Sequence, residues 1–253
     1  MKIGICKLCK NQKELRISHV VPRSVFKRAL KGFNFGLILD HKYNNNKVVN
    51  TQDQWATYLL CAECEHQLNI RYEKYSLGAL RGEMRGVKHQ EKSDYLQIVN
   101  IDQKRLILYV ISILWRALES DHRVFKELND LEISEQIKEH LRLSIYNNIL
   151  PRTQFFSVRI SKLATTIDEF KDLSLSFITN FSFKADTRGF VRSLIIMDGH
   201  SFEIFFHTTP NSRLTGLGIL KTNKKILKIP RIEAFSIPEL NQSLMRMLGT
   251  GKK

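Results

Sequence analysis

The sequence predicts an α+β protein. A metal-stapled strand–strand–helix module is expected over residues 1–80, a helical middle over 81–150, and a C-terminal part with antiparallel strands and a basic stretch over 151–253. Three observations predict this. Two Cys-x-x-Cys pairs, which use every cysteine in the chain, bracket the first segment. A dense apolar run at helical spacing occupies 102–119. Beyond Pro151, short runs rich in Phe and Ile flank an Asp-Gly pair.

The chain has 253 residues, enough for one large domain or two modest ones. Forty Lys+Arg against 25 Asp+Glu leave a net charge of +15, with a pI near 9.7. Such an excess predicts a polyanionic partner, a nucleic acid and DNA foremost. Residues 1–100 hold 17 Lys+Arg and 9 Asp+Glu, residues 101–150 hold 7 and 8, and residues 151–253 hold 16 and 8. Two basic segments therefore flank a nearly neutral one. The most apolar stretch, Leu106 to Trp115, is about half of what a membrane span needs, and the opening residues contain no apolar signal core. The expectation is a cytoplasmic protein without a membrane partner.

In the first segment, Cys6-Lys-Leu-Cys9 and Cys61-Ala-Glu-Cys64 are separated by 51 residues. Four thiolates close the tetrahedral sphere of one ion, so the pairs predict a structural Zn²⁺ that staples a long loop. Between them lies Ile17-Ser18-His19-Val20-Val21-Pro22-Arg23-Ser24, a strand ended by proline that leaves His19 at its edge. Tyr58-Leu59-Leu60 is a second strand, and a helix runs from Glu65 to Tyr75. In the middle segment Asp102 to Glu119 is apolar around most of the helical wheel and is read as a buried helix. Ile137, Leu141 and Ile145 mark a second helix over Ser134 to Asn147. After Pro151, Leu173 to Lys184 alternates as a strand. Phe190 to Met197 and Ser201 to Thr208 form a hairpin around Asp198-Gly199-His200. A last helix is expected over Pro238 to Leu248, followed by a frayed tail. Asn44-Asn45-Asn46 is read as a loop.

With C-x2-C before an S-H-V-V-P string, and a second C-x2-C opening a helix, residues 1–80 resemble the HNH (ββα-metal) endonucleases that carry two zinc knuckles. They are also similar to uncharacterised bacterial proteins of that kind linked to phage defence. The resemblance implies that His19 is the general base activating water. It implies that Glu65, directly after the second knuckle, binds a divalent Mg²⁺ or Mn²⁺ beside the scissile phosphate. The chain departs from the family pattern at Ser18, where a carboxylate often ligates the ion. It departs again where the family's Asn orients the base, and there Asp53 is the expected partner of His19. On the helix, Glu65, Asn69 and Glu73 fall at i, i+4 and i+8 and share a face. Asn69 and Glu73 are expected to complete the ion's shell; the alternative is a polar solvated face.

Arg23, Lys27, Arg28 and Lys31 follow the S-H-V-V-P string at helical spacing and are expected to grip a nucleic-acid backbone. Lys224 and Lys225 sit in the basic stretch Pro210 to Arg231 and are read the same way. Two functions follow. One is a metal-dependent DNA endonuclease held in check by a protein partner or by self-assembly, acting in bacterial defence. The other is a non-catalytic zinc-dependent nucleic-acid-binding or interaction protein that kept the scaffold and lost the ion site. His19 with Glu65 favours the first, Ser18 the second.

Overall fold

The computed structural model describes residues 2–30, 36–39, 48–51, 53–126, 128, 135–151, 156–165, 175, 177–185, 190–207 and 214–241. Lys31, the Asn44–Asn46 run and the C-terminal tail lie outside them.

Strands β1 (Lys2–Ile5) and β2 (Gln12–His19) form an antiparallel hairpin across the first cysteine pair, and β5 (Ala56–Cys61) pairs with the other side of β2. This three-stranded sheet ends β2 at His19 and delivers β5 directly into the second cysteine pair. Its register slips at Arg16/Ile17, where Leu59 is the extra residue on β5. Pro22, with φ −53, precedes α1 (Arg23–Ala29), as proline's fixed φ favours at a helix start. β3 (Gly36–Leu39) and β4 (Val48–Thr51) make a second antiparallel pair.

Cys61 begins a continuous helix. Its parts are α2 (Ala62–Leu68), a wider i→i+5 turn over Asn69–Glu73, and α3 (Lys74–Arg81). It ends at Gly82, φ +76, a left-handed stop that glycine adopts without a Cβ clash. The expected helix from Glu65 to Tyr75 thus starts earlier and runs further.

The segment 81–150 is not helical throughout. It opens with β6 (Lys88–Glu91) and β7 (Tyr95–Val99), an antiparallel pair. The reason is a period of two: Leu96 and Ile98 are buried, while Tyr95, Gln97 and Val99 face outward. α4 (Gln103–Glu119) follows, capped by the Asp102 carboxylate accepting from the Arg105 N–H at 3.2 Å. Every residue of α4 except Lys104, Arg105 and Glu119 is buried, as its all-round apolar pattern predicts. α5 (Glu135–Tyr146) packs against it.

The C-terminal part contributes β8 (Phe156–Ala164), β9 (Phe177–Thr179), β10 (Ser182–Ala185), β11 (Phe190–Met197), β12 (His200–His207) and β13 (Ile226–Glu233). Six of the seven strands in the large sheet's order, β10-β11-β12-β8-β13-β7, run on to β6 at its far edge. All its pairings are antiparallel except β8 with β13. The single strand expected over 173–184 is two. β9 joins β3 in parallel, and after Asn180 and the buried Phe181 the chain crosses to pair β10 with β11. The expected hairpin is present with a two-residue turn: Asp198 (φ +53) and Gly199 (φ +73) are both left-handed, and His200 pairs with Met197. Of the expected last helix, residues 238–241 form a helical turn and the remainder lies outside the described residues.

Buried residues from all three segments, Leu8 and Tyr72 with Trp115 and Phe202 among them, belong to one contiguous core. A buried ion pair ties the end of α3 to the last segment. Asp198, 1% exposed, accepts from Arg81 Nε at 2.9 Å and from Arg81 Nη2 at 3.1 Å, with Arg28 at 3.4 Å. Asp198→Asn keeps the left-handed turn and removes the charge. It should destabilise the protein by about 3–5 kcal/mol, because Arg81 is left buried without a counter-ion. A fall in the urea midpoint without a change in slope is the expected readout.

Candidate functional site

Two sites adjoin at the end of the small sheet. The first is the cysteine quartet. The Sγ atoms of Cys6, Cys9, Cys61 and Cys64 lie within 4.8 Å of one another. A tetrahedron of Zn–S bonds has edges of about 3.8 Å, so the four sulfurs are positioned to hold such an ion. Local backbone builds the knuckle. Cys6 N–H donates to Asn11 O at 2.9 Å, Lys10 N–H donates to Cys6 O at 2.8 Å, and Lys10 takes the left-handed φ of +64. The Cys61 N–H donates to Cys6 Sγ at 3.3 Å. The Cys64 thiol donates to Cys6, which holds Cys64 up and pulls the Cys6 pKa down; burial pushes Cys61 up. Four thiolates in so small a volume repel one another, and a cation between them removes the conflict.

The second site is an open cleft of about 340 Å³ alongside, lined by Ile17, His19, Pro22, Arg23, Ser24, Glu65, His66, Asn69, Glu73 and Arg116. It gathers the His19, Glu65, Asn69 and Glu73 that the sequence places 46 to 54 residues apart along the chain from the histidine. The wider turn over 69–73 explains how. An α-helix overshoots a full turn by about 40° every four residues. The i→i+5 turn rotates the helix back, and Glu73 stays over the cleft beside Glu65 and Asn69.

His19 is half-buried at the β2 terminus and pairs with Ala56 across the sheet. Its Nε2 meets Gln54 Oε1 at 3.2 Å. An amide oxygen only accepts, so the proton sits on Nε2 and Nδ1 keeps its lone pair. Burial, with Arg23 and Arg116 nearby, lowers the His19 pKa below its ordinary value. The expected orienting partner, Asp53, does not reach the imidazole. Its carboxylate accepts from the Trp55 N–H at 3.0 Å and pairs with His122 Nε2 at 3.0 Å and Arg123 at 3.5 Å. Asp53 thereby fixes the turn that carries Gln54. That turn is strained: Trp55 is fully buried at φ +50, wedged edge-on between Phe26 and Phe125 with ring centroids at 5.5 and 5.4 Å.

Glu65 lies on α2 with its Oε1 buried and without a hydrogen-bond partner among the described residues. Burial raises its pKa, offset in part by Arg116 and the Ser18 hydroxyl. Ser18 is buried, and its hydroxyl accepts the Leu60 N–H at 3.2 Å. That N–H is diverted from the ladder by the register slip beside it. Ser18 is thus used by the sheet.

Arg116, on the buried helix α4, forms the cleft floor. It is 1% exposed. It donates to His19 O at 2.8 Å, to Glu73 Oε1 at 2.6 Å and to Ser112 O at 3.3 Å. A cation within the buried apolar stretch of α4, Leu106 to Leu118, is the available signal. Arg23 lines the cleft, and Lys27 is exposed one turn along α1. Arg28 is partly engaged by Asp198. Lys224 and Lys225 are remote: Lys224 O accepts from Gln103 at 2.9 Å, at the opposite end of α4 from Arg116.

Comparison with protein-family models, with curated proteins and with solved structures returns no match. No helix among the described residues is long and apolar enough to cross a membrane.

Two outcomes test the site's construction. The purified protein should carry one zinc per chain by elemental analysis, and Cys64→Ser should lose both the metal and the fold of the first segment. Zinc binding in small modules is worth on the order of 10 kcal/mol. Arg116→Met should cost about 3–5 kcal/mol in denaturant unfolding, since Glu73 is left without its counter-ion.

Proposed function

We propose that the chain is a zinc-stapled, metal-dependent endonuclease of the HNH type that hydrolyses DNA phosphodiester bonds. The observation that carries the reading is the juxtaposition in one cleft of a neutral, oriented histidine and a buried carboxylate with an unpartnered oxygen. The zinc of the cysteine quartet has a structural role: four thiolates leave no open position for substrate.

His19 Nδ1 takes a proton from a water molecule, and the resulting hydroxide attacks phosphorus in line with the 3′-oxygen. The P–O3′ bond breaks, the alkoxide is protonated by solvent, and the imidazolium returns its proton to solvent. Gln54 holds the ring by its Nε2–H, so the basic lone pair stays directed away from that bond. Glu65 and Asn69 would hold a hard divalent cation. A bare buried carboxylate oxygen suits such an ion, which commonly takes only one or two protein carboxylates and fills its shell with water and phosphate. When bound, the ion supplies charge neutralisation at the leaving oxygen. Glu73 contributes by fixing Arg116. Arg23 and Lys27 supply cations for the phosphate backbone at the mouth. We further propose bacterial defence as the setting, with a protein partner or self-assembly restraining activity.

One observation favours the alternative, a zinc-dependent nucleic-acid-binding protein without catalysis. Among the described residues, the cysteines are the group of metal-ligating side chains close enough to share an ion, and Glu73 is engaged by Arg116.

Plasmid DNA incubated with Mg²⁺ or Mn²⁺ separates the two. Wild-type protein should nick it, His19→Ala should lose about 10²–10⁴-fold in rate, and Gln54→Leu roughly tenfold. Nicking that survives in His19→Ala would refute the assignment of the base. A wild-type protein that binds but never nicks would favour the alternative.

A further inference from the structure

The outer face of the β6-β7-β13 end of the large sheet is assigned no role by the cleft. Its inner face is core: Leu96, Ile98, Leu227 and Ile229 are buried. Register places Lys88 opposite Val99 and Ile226, and Gln97 opposite Lys228, on the outward side. Lys228 Nζ stands 5.2 Å over the Tyr95 ring. Lys224 and Lys225 are exposed on the turn entering β13. That turn is held by Gln103, whose amide donates to Lys224 O at 2.9 Å and Ile226 O at 3.1 Å.

This face is basic. Arg81, Arg116, Arg142, Arg159 and Arg192 each pair with a carboxylate, whereas the lysines gathered here do not. Lys88, Lys224, Lys225 and Lys228 have no carboxylate partner among the described residues. Lys88 and Lys228 are two strands and two residues apart, about 12 Å. Four unmatched ammonium groups gathered on one side of the molecule are self-repulsive, and a polyanion relieves that by exchanging its condensed counterions for them.

We propose that this face is a nucleic-acid backbone-binding surface, distinct from the cleft. Lys224 lies at the Gln103 end of α4 and the cleft at Arg116, thirteen residues and about 20 Å along the axis. A duplex covers that distance in about six base pairs. The two sites are thus separated along α4 by about the length of a short duplex. Ammonium contacts to phosphate carry no sequence information, so the four lysines hold nucleic acid without sequence preference.

The test measures binding, not cleavage, in a His19→Ala background with labelled duplex and single-stranded DNA over a salt series. Replacing Lys88, Lys224, Lys225 and Lys228 together by Ala should weaken affinity at least about tenfold. It should flatten log K against log salt by about 3–4 for duplex and by about 3 for single strands. The fourfold Lys→Arg variant should bind as its parent does. Retained zinc and an unchanged urea midpoint establish that the Ala variant is folded. An unchanged slope and affinity in the folded Ala variant would overturn the proposal. So would binding to anionic lipid vesicles with none to either DNA. Failure of the nuclease reading shows instead as absent nicking by the wild type.

Discussion

A guanidinium with 1% of its surface exposed cannot stand alone inside a protein, and Arg116 sets the terms for everything around it. Removing such a charge from water costs several kcal/mol, recovered only when its donors are matched in good geometry. Three partners supply the match: a carbonyl one turn back on α4, the carbonyl of His19 and the carboxylate of Glu73. Each partner belongs to a different element. The end of β2, the wide turn of the 62–81 helix and the C-terminal half of α4 are therefore held in a single relative arrangement. The cleft exists because these three ends meet there.

The same pair divides the acidic side chains by task. Glu73 is neutralised by Arg116 and serves geometry. Glu65 feels Arg116 only as a field, keeps a buried oxygen without a donor, and has its pKa raised by burial. Of the two, Glu65 is the one with unmet demand for a cation. Ser18 fits the same account. The register slip between β2 and β5 strands the Leu60 N–H, and a short hydroxyl at 18 satisfies it. A carboxylate there would have met the same N–H while adding a second negative charge next to Glu65.

Much of this is legible in the sequence where local chemistry dictates it. Cysteine spacing implies a quartet because a tetrahedral ion demands four ligands. Asp198-Gly199 implies a two-residue hairpin because only such residues tolerate two left-handed positions. The proline after Val21 ends β2 at His19. Tertiary pairings were not legible. Asp53 is a carboxylate at about the right distance before the second knuckle, yet which residue reaches His19 depends on a strained turn set by Trp55, Phe26 and Phe125. The alternation at 95–99 is short enough to be overlooked beside the long apolar helix that follows. The run at 173–184 reads as one strand because alternation carries no mark of the place where a chain leaves one sheet for another. Arg116 stands in a helix whose burial was evident, but its partners lie 43 and 97 residues away in sequence.

The first eighty residues hold the cysteines, the histidine and the acidic helix, which suggests a self-sufficient module. The contacts argue otherwise. The cleft floor is Arg116 from α4. The turn bearing Gln54 is anchored through Asp53 to His122, just beyond α4. Tyr72, in the wide turn between Asn69 and Glu73, donates to Ile145 O at 2.8 Å on α5. Arg81, at the end of the acidic helix, is neutralised by Asp198 from the C-terminal hairpin. Without these partners the small sheet could still close around zinc, but His19 and Glu73 would lose their common tie and the wide turn its anchor. The later residues thus complete the cleft physically. Any partner or assembly that shifts α4 acts on the geometry of His19 and Glu73 directly, through Arg116.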